Sequence, residues 1–271
     1  MRPVSELLNK RGFRTIVPWL RGFGPTRFLH KEAFRDGRGV ALAHDAFDLL
    51  SALDVDRFFI VGHDWGARAA YNIAAIAPER LLGVVGLGLP YTPNGKFEVP
   101  AFDQSRLWWY QWFMMTDGGA KKVRQDPVGF ARIQWETWSP TGWFEDWDFD
   151  RTSESFLNPD WPAITLHAYR SRWKEEPVDP RYRHDQATIE RTSQLAVPTR
   201  AIVGCEDRAD DPHDLTDEER ILGRDYMLRT LKGVGHFPAR EAPETVADIV
   251  QAMFDERTIR EERDDDATTL G

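Results

Sequence analysis

A carboxylate held at a sharp turn can attack carbon, and Gly62-His63-Asp64-Trp65-Gly66 offers one. Phe58 to Val61 before it is a short apolar, β-prone run, and Ala67 to Ala77 after it is rich in alanine, so these five residues join a strand to a helix. Their spacing matches Gly-x-Ser-x-Gly, in which two glycines let the backbone turn tightly enough to present the middle side chain. Here the middle residue is Asp64. A carboxylate nucleophile attacks an sp³ carbon and leaves an alkyl ester on the protein, whereas a serine attacks an acyl carbon. The competing reading is that Asp64 only caps the helix, because Asp is a favoured N-cap residue and suits the positive end of the dipole.

The run GHDWG between an apolar strand and an Ala-rich helix resembles the α/β-hydrolase fold family. The likeness is to its aspartate-nucleophile branch of epoxide hydrolases and haloalkane or haloacetate dehalogenases, and it covers most of the chain. The resemblance implies an α/β fold with a mostly parallel sheet and an inserted helical cap. It also implies a triad. The family places an acid three residues past a glycine, after the strand that follows the cap, to hold the catalytic histidine in one tautomer; Asp207, in Gly204-Cys205-Glu206-Asp207, matches. Asp210 and Asp211 compete for that role, and Glu98 is a further alternative because some dehalogenases place the acid after the preceding strand.

His236, in Gly233-Val234-Gly235-His236-Phe237-Pro238, matches the base. Of the seven histidines it alone follows a late strand in a Gly-rich loop, the alternative being a loop histidine facing solvent. His63 is expected to point away from Asp64 and to be structural. The order Asp64, Asp207, His236 is the nucleophile, acid, histidine order of that fold.

Tyr110 in LWWYQWF and Tyr169 in ITLHAYRSRW resemble the two cap tyrosines with which epoxide hydrolases hold the epoxide oxygen. A phenol can both polarise that oxygen and protonate the alkoxide that forms. Packing is the alternative role for either ring. The activity implied is the opening of epoxides to vicinal diols through an ester on Asp64, with the Trp65 backbone N–H holding the oxyanion and no cofactor required. A dehalogenase would use the same triad, with the Trp65 indole donating to the halide. A third reading is a binding protein that has kept the pocket and lost the chemistry.

In the family an earlier strand ends in His-Gly-x-Pro, whose x residue supplies a second oxyanion donor. No His-Gly dipeptide occurs in this chain. The expectation is therefore a fold lacking its N-terminal strands, with Met1 an internal or misassigned start.

The elements that must position these groups follow from periodicity. Val4, Leu7 and Leu8 read as a helix ending at Gly12, Phe13 to Val17 as a strand, and Arg38 to Leu53 as a helix over the sheet. RTIVPWLRGFGPTRF resembles a family run that often reads Asp-Leu-Arg-Gly-x-Gly, with Trp19 where the Asp would be; Arg21 there is expected to be loop structure. Leu81 to Leu89, Thr199 to Val203 and Tyr226 to Leu231 read as further strands, and Pro243 to Phe254 as a closing amphipathic helix.

Nine of the eleven tryptophans fall between Thr92 and Ser193, without any strand alternation. That composition suits a helical cap whose aromatic side chains line an apolar pocket or form the cap's own core. The domains expected are 1–91 and 194–256 for the two parts of the core, 92–193 for the cap, and 257–271 for a charged, disordered tail.

A net charge of −9 supplies no basic surplus for nucleic acid or an anionic membrane, so the expected partner is a small apolar molecule. The longest apolar run, Leu81 to Leu89, is far short of the about 20 residues a spanning helix needs. The single cysteine, Cys205, excludes an internal disulfide and suits a reducing, cytoplasmic setting.

Overall fold

Strands β1 (Phe58–His63), β2 (Leu81–Leu87), β3 (Thr199–Gly204) and β4 (Tyr226–Leu231) lie side by side in chain order, every neighbouring pair parallel. The structure is a computed structural model and describes residues 1–95, 97–210 and 225–269, the last ten of these by backbone alone. Parallel neighbours need crossover connections, and those from β1 to β2 and from β2 to β3 contain helices. β2, reading LLGVVGL, is buried almost throughout, as a strand covered on both faces must be. β1 is mostly half-buried, and among the described residues no strand pairs with its outer side.

Two units pack separately, residues 18–237 and residues 1–17 with 238–271. In the larger, α2 (Gly39–Ala52) lies on α3 (Trp65–Ile76), and α3 lies on β1 and β2. Alanines 67, 70 and 74 let α3 approach closely, and Tyr71 and Ile73 join Leu81, Val84 and Leu89 in the core. Burying an Ile or Val side chain contributes about 1.5–3 kcal/mol.

Between β2 and β3 the chain is helical, as expected. The helices are α4 (Phe102–Leu107), α5 (Trp109–Met115), α6 (Asp117–Gln125), α7 (Pro127–Thr137), α8 (Asp146–Ser153), α9 (Trp161–Arg170) and α10 (Arg183–Arg191). Side chains cap two of them: Thr116 Oγ1 accepts from Gly119 N at 2.9 Å, and Asp126 Oδ1 from Gly129 N at 2.8 Å. Tyr110, Met114, Phe130, Trp138, Trp161 and Tyr169 form one buried cluster here. Arg21 is structural, as expected: its guanidinium is bidentate on Asp45 at 2.6 Å and donates to the Asp36 carbonyl at 2.9 Å.

The smaller unit contains α1 (Arg2–Lys10), α11 (Pro238–Glu241) and α12 (Pro243–Thr269), with Phe13 packed edge-on to Phe254 at 5.3 Å. Two expectations fail in it. Phe13 to Val17 is not a strand, because among the described residues no neighbour completes a hydrogen-bond ladder beside it. The charged tail is not disordered through residue 269 but continues α12. Glu, Arg and Asp are compatible with a helix even where they offer no apolar face, and no Gly or Pro interrupts before Gly271. Among the described residues no helix is long and apolar enough to cross a membrane.

Candidate active site

β1 hands over to α3 at Asp64, whose backbone sits at φ 47°, ψ −109°. Its N–H donates to the Leu87 carbonyl of β2 at 3.0 Å, and its own carbonyl accepts from Arg68 N at 3.0 Å. The turn brings the end of β1 so close to α3 that a Cβ on Gly62 would lie 2.1 Å from the Gly66 carbonyl oxygen. Gly62 is therefore required. Gly66 is not, since a Cβ there would meet nothing within 4 Å; only one of the two motif glycines carries the steric demand.

Asp64 stands at the N-cap position, but its carboxylate makes no capping bond. Instead it lines a cavity of about 250 Å³. Burial disfavours its charge, yet His236, His63, Arg68 and Arg172 outweigh that and hold the carboxyl below its ordinary range.

His236 and Asp207 come together from loops after β4 and β3. Nδ1 of His236 is 2.8 Å from Asp207 Oδ2, while Asp207 Oδ1 accepts from Ala209 N at 2.7 Å and Asp210 N at 3.2 Å. The His236 Nε2 is buried with no hydrogen-bond partner. Burial lowers the imidazole's affinity for a proton, but Asp207, Asp64 and Asp210 raise it further, to about 9.

Among the described residues only Asp207 is hydrogen-bonded to the histidine ring. Asp210 accepts from the Trp108 indole at 2.8 Å, and burial with nearby Asp207 pushes its carboxyl up. Glu98 is exposed, and Asp211 lies outside the described residues. His63 is held by a 2.7 Å bond from Nε2 to the His236 carbonyl. Burial first, and the charge of His236 second, lower it to about 4. It is therefore neutral with its proton on Nε2, because a carbonyl can only accept.

Tyr169 lines the cavity with Asp64, Trp65, Trp135, Trp138 and Trp161. Tyr110 packs edge-on against Tyr169 at 5.3 Å, and its hydroxyl accepts from Gln111 Nε2 at 3.2 Å. Burial raises both phenols well above their usual range, helped by the neighbouring tyrosine at Tyr110 and by Asp64 at Tyr169, so both remain O–H donors at neutral pH. Trp65 meets Tyr169 edge-on at 5.3 Å. As the first residue of α3, Trp65 has a backbone N–H with no carbonyl to bond within the helix.

Two parts of the site were not legible in sequence. Ser139 and Trp138 hold the histidine loop: His236 N donates to Ser139 Oγ at 2.8 Å and to the Trp138 carbonyl at 3.3 Å. Arg68 and Arg172 bring positive charge to Asp64. A helical spacing of four from Asp64 was the available signal for Arg68; Arg172, in the Tyr169 run, had none.

Comparison with known proteins identifies the fold family. The sequence pattern of the alpha/beta hydrolase fold matches residues 1–243. A solved structure described as a candidate epoxide hydrolase from Klebsiella pneumoniae is 32% identical, with a TM-score of 0.85, over 94% of this chain and 84% of that one. Epoxide hydrolase B of Mycobacterium tuberculosis is 27% identical over 135 residues, 44% of this chain. An epoxide hydrolase of Caballeronia sordidicola is 36% identical over 101 residues, 36% of this chain. The matched stretches span 37% and 29% of the length of those two curated relatives.

Proposed function

We propose that this chain, which belongs to the α/β-hydrolase fold family, opens epoxides to vicinal diols through a transient ester on Asp64. The observation that carries the reading is one cavity lined by an uncapped Asp64 carboxylate and by the Tyr169 phenol, with Asp207 and His236 paired at 2.8 Å. Likeness to proteins named epoxide hydrolases supports it.

In this reading a carboxylate oxygen of Asp64 attacks a ring carbon, the carbon–oxygen bond of the ring breaks, and Tyr169 with Tyr110 behind it protonates the departing oxygen. Esterification then removes the Asp64 charge. That charge is one of the anions raising His236, so the imidazole becomes easier to deprotonate when a base is needed. Neutral His236, oriented by Asp207, takes a proton from water, whose oxygen attacks the ester carbonyl. The Trp65 N–H steadies the oxyanion. Collapse of that intermediate breaks the ester bond; the departing alkoxide takes the His236 proton to complete the diol, and the Asp64 carboxyl returns its proton to the Tyr169 phenolate. The helices between β2 and β3 serve as a cap over the cavity.

The test is the mass of a His236→Gln variant after incubation with epoxides and haloalkanes, followed by peptide mapping. An adduct on the Asp64 peptide that retains every atom of the epoxide is the expected result. An adduct formed only with loss of halide would replace this reading by dehalogenation, and ligand binding without any adduct would leave a binding role.

A further inference from the structure

Three threonines in the helices between β2 and β3 donate their hydroxyls back to the carbonyl four residues earlier. Thr137 bonds Ile133 at 2.6 Å, Thr152 bonds Asp148 at 3.0 Å and Thr188 bonds His184 at 3.3 Å. Thr165, inside α9, does not. It is nine-tenths buried and lines the Asp64 cavity, and among the described residues its hydroxyl has no partner. That oxygen is not one of the sealed, unpartnered atoms of the interior, so it opens on the cavity.

Gln134, on α7, repeats the pattern. It lines the same cavity, and its carboxamide has no partner among the described residues. Two other glutamines of these helices are taken up within the protein. Gln104 Nε2 donates to the Ala209 carbonyl at 3.1 Å, and Gln111 Oε1 accepts from the Trp173 indole at 3.0 Å.

Helical spacing brings both side chains to the cavity. Trp161, Thr165 and Tyr169 are four apart, as are Phe130, Gln134 and Trp138, so each polar residue is the middle of an otherwise aromatic stripe. An apolar substrate filling the cavity would exclude water from both polar groups and give nothing in return, which is costly. A substrate with one polar group would meet them. The wall offers no free charge for it: Asp64 is the nucleophile, Arg21 is bidentate on Asp45, and His63 is neutral. A hydroxyl suits the place, because it donates and accepts as Thr165 and Gln134 do.

We propose that Thr165, assisted by Gln134, binds a hydroxyl carried by the substrate while the reactive ring lies at Asp64. Tyr169 is about 6 Å along the helix axis from Thr165, so the hydroxyl sits a few bonds from the ring. The preferred substrate is then a neutral epoxy alcohol. The subsite stands on the cavity alone; the epoxide part rests on the reading above.

The experiment has a binding arm and a turnover arm, both on the full chain. Toluene and benzyl alcohol differ by one hydroxyl. Their binding is followed by calorimetry and tryptophan fluorescence in wild type, Thr165→Val, Thr165→Ser and Gln134→Leu, with circular dichroism confirming that each is folded. Turnover is followed on 1,2-epoxyalkanes and on the same chains bearing a terminal hydroxyl. The affinity for benzyl alcohol relative to toluene should fall about tenfold in Thr165→Val and less in Gln134→Leu, and Thr165→Ser should keep it. The ratio of kcat/KM for epoxy alcohol over epoxyalkane should fall in parallel.

An affinity ratio unchanged in Thr165→Val overturns the proposal. An affinity ratio that falls while the kcat/KM ratio stays the same overturns the substrate assignment. An affinity ratio that falls when no epoxide is turned over upholds the subsite and removes the epoxide reading.

Discussion

The backbone N–H of His236 donates a 2.8 Å hydrogen bond to Ser139 Oγ across 97 residues of chain, tying the histidine loop to the end of α7. The same serine crowds Gly235, where a Cβ would lie 2.3 Å from Ser139 Oγ and 2.5 Å from its Cα. Gly235→Ala must therefore move one loop or the other. A displacement of about 1 Å at a catalytic group costs roughly a hundredfold in rate. We expect kcat to fall by about that much in Gly235→Ala while the thermal midpoint changes little, measured by steady-state kinetics beside a melting curve.

The His236 imidazole, raised to about 9 by three anions, provides a pH test. Removing an anion beside a cation weakens the protonated form, so Asp207→Asn must lower the value and Asp64→Asn must lower it too. Proton NMR titration of the His236 ring reads both. A value near 9 that persists in Asp64→Asn would show that Asp64 does not act on the ring. In the same Asp207→Asn variant kcat should fall by up to ~10⁴, because the amide no longer fixes the tautomer.

Replacing Tyr110 and Tyr169 together by Phe removes both buried O–H donors. The expected loss in kcat/KM for an epoxide is about 10²–10⁴. Any release of halide from a haloalkane should be spared, since halide needs no proton from a phenol. Diol formation unchanged in the double variant would refute the tyrosine roles.

Gly62→Ala places a methyl 2.1 Å from a backbone oxygen that cannot swing away. Overpacking of this kind costs on the order of 1–3 kcal/mol or more. The midpoint of urea unfolding should drop accordingly. Gly66→Ala, whose Cβ meets open space, should leave it within about 0.5 kcal/mol.

How much of this was legible depended on whether the information was local. β4 has the expected bounds, Tyr226 to Leu231, and β1 to β3 differ only at their ends, because apolar β-prone runs between turns announce themselves. Asp207 and His236 each follow a strand in a recognisable loop, and parallel order brings those loops to one end of the sheet. Phe13 to Val17 carries the same local signal and is not a strand, since a strand depends on a neighbour that its own residues do not encode. Composition misled at residues 257–269, where charge argues against packing but not against helix. Sequence shows that Arg68 and Arg172 are charged; only packing shows that both act on the Asp64 carboxylate.

Asp64 stands in the left-handed half of backbone space, at φ 47°. A side chain there carries about 1–3 kcal/mol of strain that glycine would not. Asp64→Gly should raise the melting temperature and abolish turnover in the same stroke. Selection for thermal robustness and selection for turnover therefore pull in opposite directions at this one position, and a library screened on stability alone would drift towards a sturdier, inert protein.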